Sequence, residues 1–278
     1  MNDNRISILG CGWLGLPLAR FLTGKGFSVK GSTTTEGKFD ALGAAGAEPF
    51  RIVVGDTLDG DIKSFLDSEI LVVDIPPQRR EDIVEYHVGQ ISLLIDALVD
   101  SPVKHVLLVS STSVYPALGR EVVEDDALDP DAADTEVGRA LLYVEEMLRS
   151  ESGFSTTVLR FSGLIGPGRN PVNFMQRMKE IADPDQPVNL IHLDDCVQII
   201  AGIIDRELWG EVFNASCPGH PKRREFYAAA AESHGVELLP LGAIGGHPSR
   251  TISSARLEKA LGYRFLHPDP IAVARSTE

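Results

Sequence analysis

Short, continuously apolar runs alternate with amphipathic segments along the first half of the chain, and this alternation limits the possible folds most. The predicted strands include Arg5–Leu9, Phe27–Lys30, Ile70–Asp74, Lys104–Ser110 and Thr156–Arg160, and the predicted helices include Trp13–Thr23, Glu81–Asp100 and Thr135–Ser150. Continuously apolar strands are typical of sheets that are buried on both faces. The alternation therefore predicts an α/β fold, a doubly wound parallel sheet with helices on both faces.

The second half of the chain is less regular. Two segments, Ala117–Asp134 and Gly163–Pro171, are predicted to be loops, and a short helix is predicted near Phe174–Ala182. Asp195 is predicted to cap a helix that follows it. Since domains average roughly 150 residues, we expect a dinucleotide-binding portion at 1–162. A smaller substrate-binding portion at 163–278 would be interleaved with the sheet.

A glycine motif, Gly10-Cys11-Gly12-Trp13-Leu14-Gly15, directly follows the first predicted strand and opens the first predicted helix. In this context G-x-G-x-x-G indicates a dinucleotide site. The first glycine permits a tight turn, the second lets a pyrophosphate approach the backbone, and the third allows close packing of helix on strand. We therefore expect Gly10, Gly12, Trp13, Leu14 and Gly15 to form the cofactor loop.

The end of the second predicted strand favours NADP over NAD. An NAD site usually has Asp or Glu there, bound to the ribose 2′-hydroxyl. This strand instead ends in Ser32, Thr33 and Thr34, and Lys38 lies close behind. Hydroxyl groups can donate to a 2′-phosphate, and no carboxylate repels it.

Composition limits the partners. The chain has 278 residues and a net charge of −14, which argues against nucleic acid and anionic membrane surfaces. It contains no apolar run long enough to span a bilayer. Cys11, Cys196 and Cys217 are few and widely spaced, which favours reduced thiols in the cytoplasm. No Cys/His group has metal-ligand spacing, so no metal centre is predicted.

Further motifs occur in a fixed order after the glycine loop. They are Ser110-Ser111-Thr112-Ser113-Val114-Tyr115, Leu159-Arg160, Gly166-Pro167-Gly168-Arg169-Asn170-Pro171 and Ile191-His192-Leu193-Asp194-Asp195. Together they resemble the NAD(P)-dependent epimerase/dehydratase family, in the extended and atypical part of the short-chain dehydrogenase/reductase superfamily. The resemblance covers almost the whole chain. It implies a Rossmann-like domain, a small C-terminal substrate domain and a nucleotide sugar or similar small molecule as substrate.

The resemblance also implies roles for individual residues. Ser111 corresponds to the family's Ser/Thr that hydrogen-bonds the reacting oxygen, with Ser110 or Thr112 as alternatives. Ser110 is in addition expected beside the cofactor. Asp56 would lie near the adenine, and Ile75 and Pro76 near the ribose. By analogy, the long helices predicted at Glu81–Asp100 and Thr135–Ser150 would form a homodimer.

The chain departs from the family at its proton-transfer pair. Aligned on Gly138 and Glu145, Val137 occupies the position of the family's Tyr and Leu141 that of its Lys. Neither side chain can carry a proton. Tyr143 should point elsewhere on the helix, and Arg139 and Glu145 are predicted to form a surface pair. His87, a lone histidine on a predicted helix, is expected at the surface or in a capping position.

Three functions therefore remain open. The first is an epimerase/dehydratase-type oxidoreductase with a non-standard proton donor. The second is a non-catalytic protein that senses the redox state of NADP(H). The third is a reductase or isomerase in which water or the substrate supplies the proton.

Overall fold

A computed structural model of the chain describes residues 4–246 and 248–276. Its strands are β1 Arg5–Leu9, β2 Ser28–Thr33, β3 Glu48–Arg51, β4 Val53–Val54, β5 Leu58–Asp59, β6 Ile70–Val73, β7 His105–Ser111, β8 Arg120–Val122, β9 Ser155–Phe161, β10 Gly163–Ile165, β11 Leu190–His192, β12 Val212–Ala215 and β13 Arg250–Ile252. Its helices are α1 Gly15–Gly24, α2 Phe39–Ala44, α3 Ile62–Phe65, α4 Ile83–Val99, α5 Glu136–Ser150, α6 Pro171–Met175, α7 Leu193–Asp205, α8 Arg223–His234, α9 Ala255–Leu261 and α10 Pro270–Arg275.

The main sheet has seven strands in the order β12-β9-β7-β6-β1-β2-β3, with helices flanking it. Strand β1 pairs in parallel with both β2 and β6, β2 with β3, and β6 with β7. The chain runs outward from β1 to the β3 edge and then returns to the other side of β1. Ligands of such sheets bind at this switch point, beyond the carboxyl ends of the strands. The predicted doubly wound parallel sheet is confirmed.

Helices α4 and α5 pack on this sheet through one buried apolar cluster. It includes Leu71 and Val73 of β6, Leu94 and Leu98 of α4, and Leu148 of α5. Each such side chain contributes about 1.5–3 kcal/mol when it leaves water. The cluster fixes the strands and so fixes the loops that follow them.

Two compact units divide the chain. The first contains Met1–Val114, Ala127–Arg160 and Ile200–Val212, and the second contains Tyr115–Asp126, Phe161–Ile199 and Phe213–Glu278. The assignment of 1–162 to a cofactor and 163–278 to a substrate stays a prediction. Across residues 4–246 and 248–276, no helix combines the length and apolarity that a membrane crossing needs.

Both segments predicted to be loops contain a short strand, which corrects that prediction. β8 lies within 117–134 and pairs in parallel with β13, while β10 lies within 163–171 and pairs in parallel with β11. Strands of three residues show no measurable periodicity, and their partners lie far along the chain.

The helix predicted near Phe174–Ala182 is shorter and lies earlier: α6 begins at Pro171 and ends at Met175, and residues 176–182 are not helical. The Asn170 side chain accepts hydrogen bonds from the N–H groups of Val172 and Asn173 and so fixes the start of the helix. Pro171 follows at the first helical position, where its missing N–H costs nothing.

The prediction that Asp195 caps a helix is wrong. Asp195 lies inside α7 and is fully buried. Its carboxylate accepts hydrogen bonds from the Tyr263 hydroxyl at 2.7 Å and from the N–H groups of Leu266 and His267 at 2.6 and 3.1 Å. It thereby anchors the segment between α9 and α10.

Candidate functional site

A cavity of about 290 Å³ opens beyond the carboxyl ends of β1, β2 and β6. Its lining residues are Leu9, Gly10, Cys11, Gly12, Ser32, Thr33, Thr34, Lys38, Ile52, Val54, Asp74, Ile75, Pro76, Gln78 and Gln90. Seven of the residues predicted to bind a dinucleotide therefore surround one cavity, at the switch point of the sheet.

The three glycines of the loop meet different surroundings. A Cβ atom on Gly10 would lie 2.3 Å from the carbonyl oxygen of Asp74, and one on Gly15 would lie 2.4 Å from the carbonyl oxygen of Gly10. Gly10 also has a φ of 103°, which L side chains rarely adopt. A Cβ atom on Gly12, in contrast, would meet no atom within 4 Å. Gly10 and Gly15 are needed for the packing of the turn, whereas the space beside Gly12 is open.

Helix α1 begins at Gly15, directly after this loop. Its first turn contains no acidic residue, and the preceding Leu14 provides no side-chain cap. The first N–H groups of a helix and the positive end of its dipole attract anions. Trp13, Leu14 and Gly15 lie at this helix start and do not line the cavity.

Ser32 holds the glycine loop in place. Its buried Oγ accepts a hydrogen bond from the Gly10 N–H at 2.9 Å, and its carbonyl oxygen accepts one from the Cys11 N–H at 2.8 Å. Thr34 and Lys38 are exposed beside the cavity. The polar groups that this strand end offers to a ligand are thus hydroxyls and an ammonium group.

Cys11 lies in the cavity wall as a neutral thiol. Burial raises the pKa of the Cys11 thiol to about 12. The thiol donates to the carbonyl oxygen of Ile8 at 3.7 Å. Since the thiolate is the nucleophilic form, Cys11 supplies no nucleophile here.

Three polar residues of the cavity wall, Asp74, Gln78 and Gln90, were missed by sequence reasoning. Gln90 of α4 is buried, donates to the carbonyl oxygen of Val54, and contacts His87 Nδ1 at 3.2 Å. His87 is therefore buried, and its predicted place at the surface is wrong. A pair of polar residues one turn apart on an apolar helix was the available signal.

Asp56 is exposed and does not line the cavity.

A buried ion pair lies beneath the end of β7. The Arg160 guanidinium contacts the Glu145 carboxylate at 2.6 Å, and the Ser110 hydroxyl donates to the same carboxylate at 2.6 Å. The predicted surface pair of Arg139 and Glu145 is wrong, because Arg139 pairs with Glu136 instead. The Ser110 hydroxyl donates its proton to Glu145, and Ser110 does not line the cavity. A contact between Ser110 and a cofactor would therefore have to come from its main chain.

Ser111 is the last residue of β7 and is only partly buried. Its Oγ accepts a hydrogen bond from the Ser113 N–H at 3.2 Å. A hydroxyl that already accepts keeps its proton available for donation. Ser111 does not line the cavity beside the glycine loop, and its contact with a substrate oxygen stays a prediction.

Helix α5 carries Val137 and Leu141, the two residues predicted to occupy the positions of the family's Tyr and Lys. The Val137 residue is 39% exposed and Leu141 is 4% exposed. Tyr143, further along the helix, donates to Asp131 at 3.3 Å, and the negative charge of Asp131 raises the pKa of the Tyr143 phenol. A neighbouring Lys would lower that pKa, so Tyr143 does not reproduce the family's proton donor.

Comparison with known proteins assigns the family. The sequence model of the NAD dependent epimerase/dehydratase family matches residues 7–215. The chain belongs to this family. It is also 30% identical over 273 residues to Protein YeeZ of Escherichia coli K12, with 97% of this chain and 98% of YeeZ covered. The family resemblance inferred from the motifs is confirmed.

Solved structures confirm the fold. A UDP-glucuronic acid 4-epimerase from Bacillus cereus in complex with NAD superposes with a TM-score of 0.80 at 17% identity, covering 98% of this chain and 96% of that chain. MoeE5 in complex with UDP-glucose and NAD superposes with a TM-score of 0.77 at 21% identity, covering 98% of this chain and 97% of that chain.

Proposed function

We propose that the chain binds NAD(P) in the cavity beyond β1, β2 and β6. The open space beside Gly12, next to the tightly packed Gly10 and Gly15, carries this proposal. The pyrophosphate would lie over Gly12, at the start of α1, where main-chain N–H groups and the helix dipole favour an anion. The related structures named above contain NAD.

Within this proposal, NADP is preferred over NAD. Thr33, Thr34 and Lys38 line one side of the cavity, and they would provide two hydroxyls and a positive charge to the ribose 2′ substituent. We expect Lys38→Glu to weaken NADP binding at least about tenfold and to change NAD binding little, since only NADP carries the additional phosphate. Equal losses for both cofactors in a calorimetric titration would contradict the preference.

The proposed activity is an epimerase/dehydratase-type oxidoreduction of a nucleotide sugar or a similar small molecule. The cofactor supplies hydride transfer when bound. The Ser111 hydroxyl donates a hydrogen bond to the reacting substrate oxygen, as its orientation toward Ser113 permits. Because Val137 and Leu141 cannot hold a proton, the proton is exchanged with water or with a group of the substrate.

A second candidate is a non-catalytic sensor of the NADP(H) redox state. The predicted replacement of the family's Tyr and Lys by Val137 and Leu141 favours it, because this replacement would remove the proton relay, while the glycine loop still lines a cavity. A sensor would bind the cofactor without turnover and change a partner contact with redox state.

Calorimetric titration with NADPH, NADP, NADH and NAD tests the cofactor site. We expect micromolar binding that Gly12→Asp abolishes, because a carboxylate would enter the pyrophosphate space. Gly153→Asp is the matched control, since Gly153 is exposed and a Cβ there also meets no atom within 4 Å. Equal binding by both variants would overturn the site.

Turnover separates the two candidate functions. The protein loaded with NADP or NAD is incubated with UDP-glucose or UDP-glucuronic acid, and the nicotinamide absorbance and the sugar products are followed. An oxidoreductase that uses Ser111 should lose at least about 100-fold in kcat for Ser111→Ala and keep its cofactor affinity. Cofactor binding without any turnover would favour the sensor.

A homodimer and a cytoplasmic location complete the proposal. The long helices α4 and α5 are the expected dimer face, and within the chain they already pack against each other. Sedimentation of the purified protein with and without cofactor tests the oligomeric state. A monomer under both conditions would contradict the homodimer.

A further inference from the structure

Two histidines and an aspartate converge beside a second cavity. His192 ends β11, Asp194 lies in the first turn of α7, and His267 lies in the segment before α10. The Asp194 carboxylate oxygen is 3.4 Å from His192 Nδ1 and 3.1 Å from His267 Nε2. The two imidazole ring centroids are 3.8 Å apart. One ligand atom from each of the three residues lies within 4.8 Å of the others.

The cavity beside this cluster suits a cation. It has a volume of about 380 Å³, and its other lining residues are Gly166, Pro167, Asn170, Pro171, Leu266, Pro268, Asp269, Ala272, Val273 and Ser276. Asp194 and Asp269 contribute carboxylates, and these lining residues include no Lys or Arg. An anion such as phosphate would therefore meet repulsion here rather than a counter-charge.

The cluster is held in place by the buried carboxylate that sequence reasoning misread. Asp195 accepts hydrogen bonds from the main-chain N–H groups of Leu266 and His267. It therefore fixes the His267 backbone beside the helix that carries Asp194. The side chains remain reachable, since they are 58% exposed for Asp194, 34% for His267 and 11% for His192.

We propose that His192, Asp194 and His267 bind a divalent transition-metal ion such as Zn²⁺. Two imidazole nitrogens and one carboxylate oxygen form a donor set that suits Zn²⁺, and three protein ligands leave a further coordination position open. The adjacent cavity, which His192, Asp194 and His267 help to line, would give a ligand with a carboxylate or hydroxyl group access to the bound metal. The proposal does not depend on the dinucleotide site.

His267 lies too far along the chain from the other two residues for a sequence motif to show this cluster. His192 and Asp194 are neighbours in the chain, but His267 arrives from the segment after α9. The sequence prediction of no metal centre rested on local spacing alone, and the fold supplies the third ligand.

Titration with Zn²⁺ tests this site. The full-length protein is dialysed against a chelator and titrated calorimetrically with Zn²⁺ alone. We expect one equivalent to bind with micromolar or tighter affinity. Asp194→Asn and His267→Gln should each weaken binding by about 100-fold or more, because each removes a direct ligand and losses of 10–100-fold already follow from changes around a ligand.

His105→Gln is the matched control, because His105 is a partly exposed histidine that stacks on Trp209 in the first unit. It should leave Zn²⁺ binding unchanged.

Asp194→Asn keeps the shape of an exposed side chain, so it tests the site without disturbing the fold. The visible absorption of Co²⁺ bound to the wild type, lost in both ligand variants, is the second readout. Absence of binding, or binding that either ligand variant leaves intact, would overturn the proposal.

Discussion

At the scale of single residues, the glycines of the loop have different roles. Gly10 and Gly15 are needed for close packing, whereas Gly12 borders the open space proposed for the cofactor. Gly15→Ala places a methyl group 2.4 Å from a main-chain oxygen, so the backbone must shift. We expect the free energy of unfolding to fall by about 1–3 kcal/mol. Gly12→Ala should change it by less than about 0.5 kcal/mol, since the space there is open. Urea denaturation measures both, and equal effects would contradict the division of roles.

Leu141 offers a second residue-scale prediction. It is buried and is predicted to occupy the position of the family's Lys, so Leu141→Lys places a charge in the interior. We expect a loss of more than about 2 kcal/mol in the free energy of unfolding, because a buried unpaired charge is unfavourable. Leu141→Met is the control and should lose less than about 1.5 kcal/mol. If the Lys variant is as stable as the Met variant, this position is open to water and to the site.

At the scale of elements, the Glu145–Arg160 pair joins α5 to β9. Glu145→Gln leaves the Arg160 charge buried without its counter-charge, which is expected to lower the free energy of unfolding by about 3–5 kcal/mol. Glu136→Gln is the matched control on the same helix, where an exposed pair with Arg139 contributes at most about 1 kcal/mol. Urea denaturation measures both variants. Similar losses in the free energy of unfolding would show that burial does not determine how much the Glu145–Arg160 pair stabilises the fold.

The elements also show what the sequence could predict. The main strands and the long helices have hydrophobic patterns within their own sequences, so they were predicted with small shifts at their ends. The glycine loop is a local sequence motif and was predicted for the same reason. Ser110 and Arg160 meet Glu145 only because β7 and β9 bring them to α5. The same holds for β8 with β13, and for Asp195 with the segment after Tyr263. Contacts between distant segments leave no local periodicity.

At the scale of the whole molecule, one buried and two partly buried histidines should make stability depend on pH. Burial lowers the pKa of His87, His105 and His220 in the folded protein below the ordinary value of 6.5. Below that ordinary value the unfolded chain binds more protons than the folded one. The free energy of unfolding should therefore fall as the pH drops from about 7 to 5, by at most about 1.4 kcal/mol per pH unit for each histidine.

Urea denaturation at several pH values across this range measures the effect. His87→Gln should have a smaller pH slope than the wild type, because it removes the most deeply buried of the three imidazoles. A free energy of unfolding that stays constant over the range would show that these histidines protonate equally in the folded and unfolded chain.

The strand order has a consequence for how this chain is made. β1 is synthesised early, but its neighbour β6 is made only after β5 and α3. β12 lies at the edge of the sheet and comes from the last third of the chain. Non-local pairing of this kind slows folding and prolongs the exposure of apolar strands. A fragment that ends at residue 162 would lack β12 and leave β9 with an unpaired edge. Such an edge is a template for aggregation, so the isolated N-terminal part should accumulate as inclusion bodies while the full chain folds.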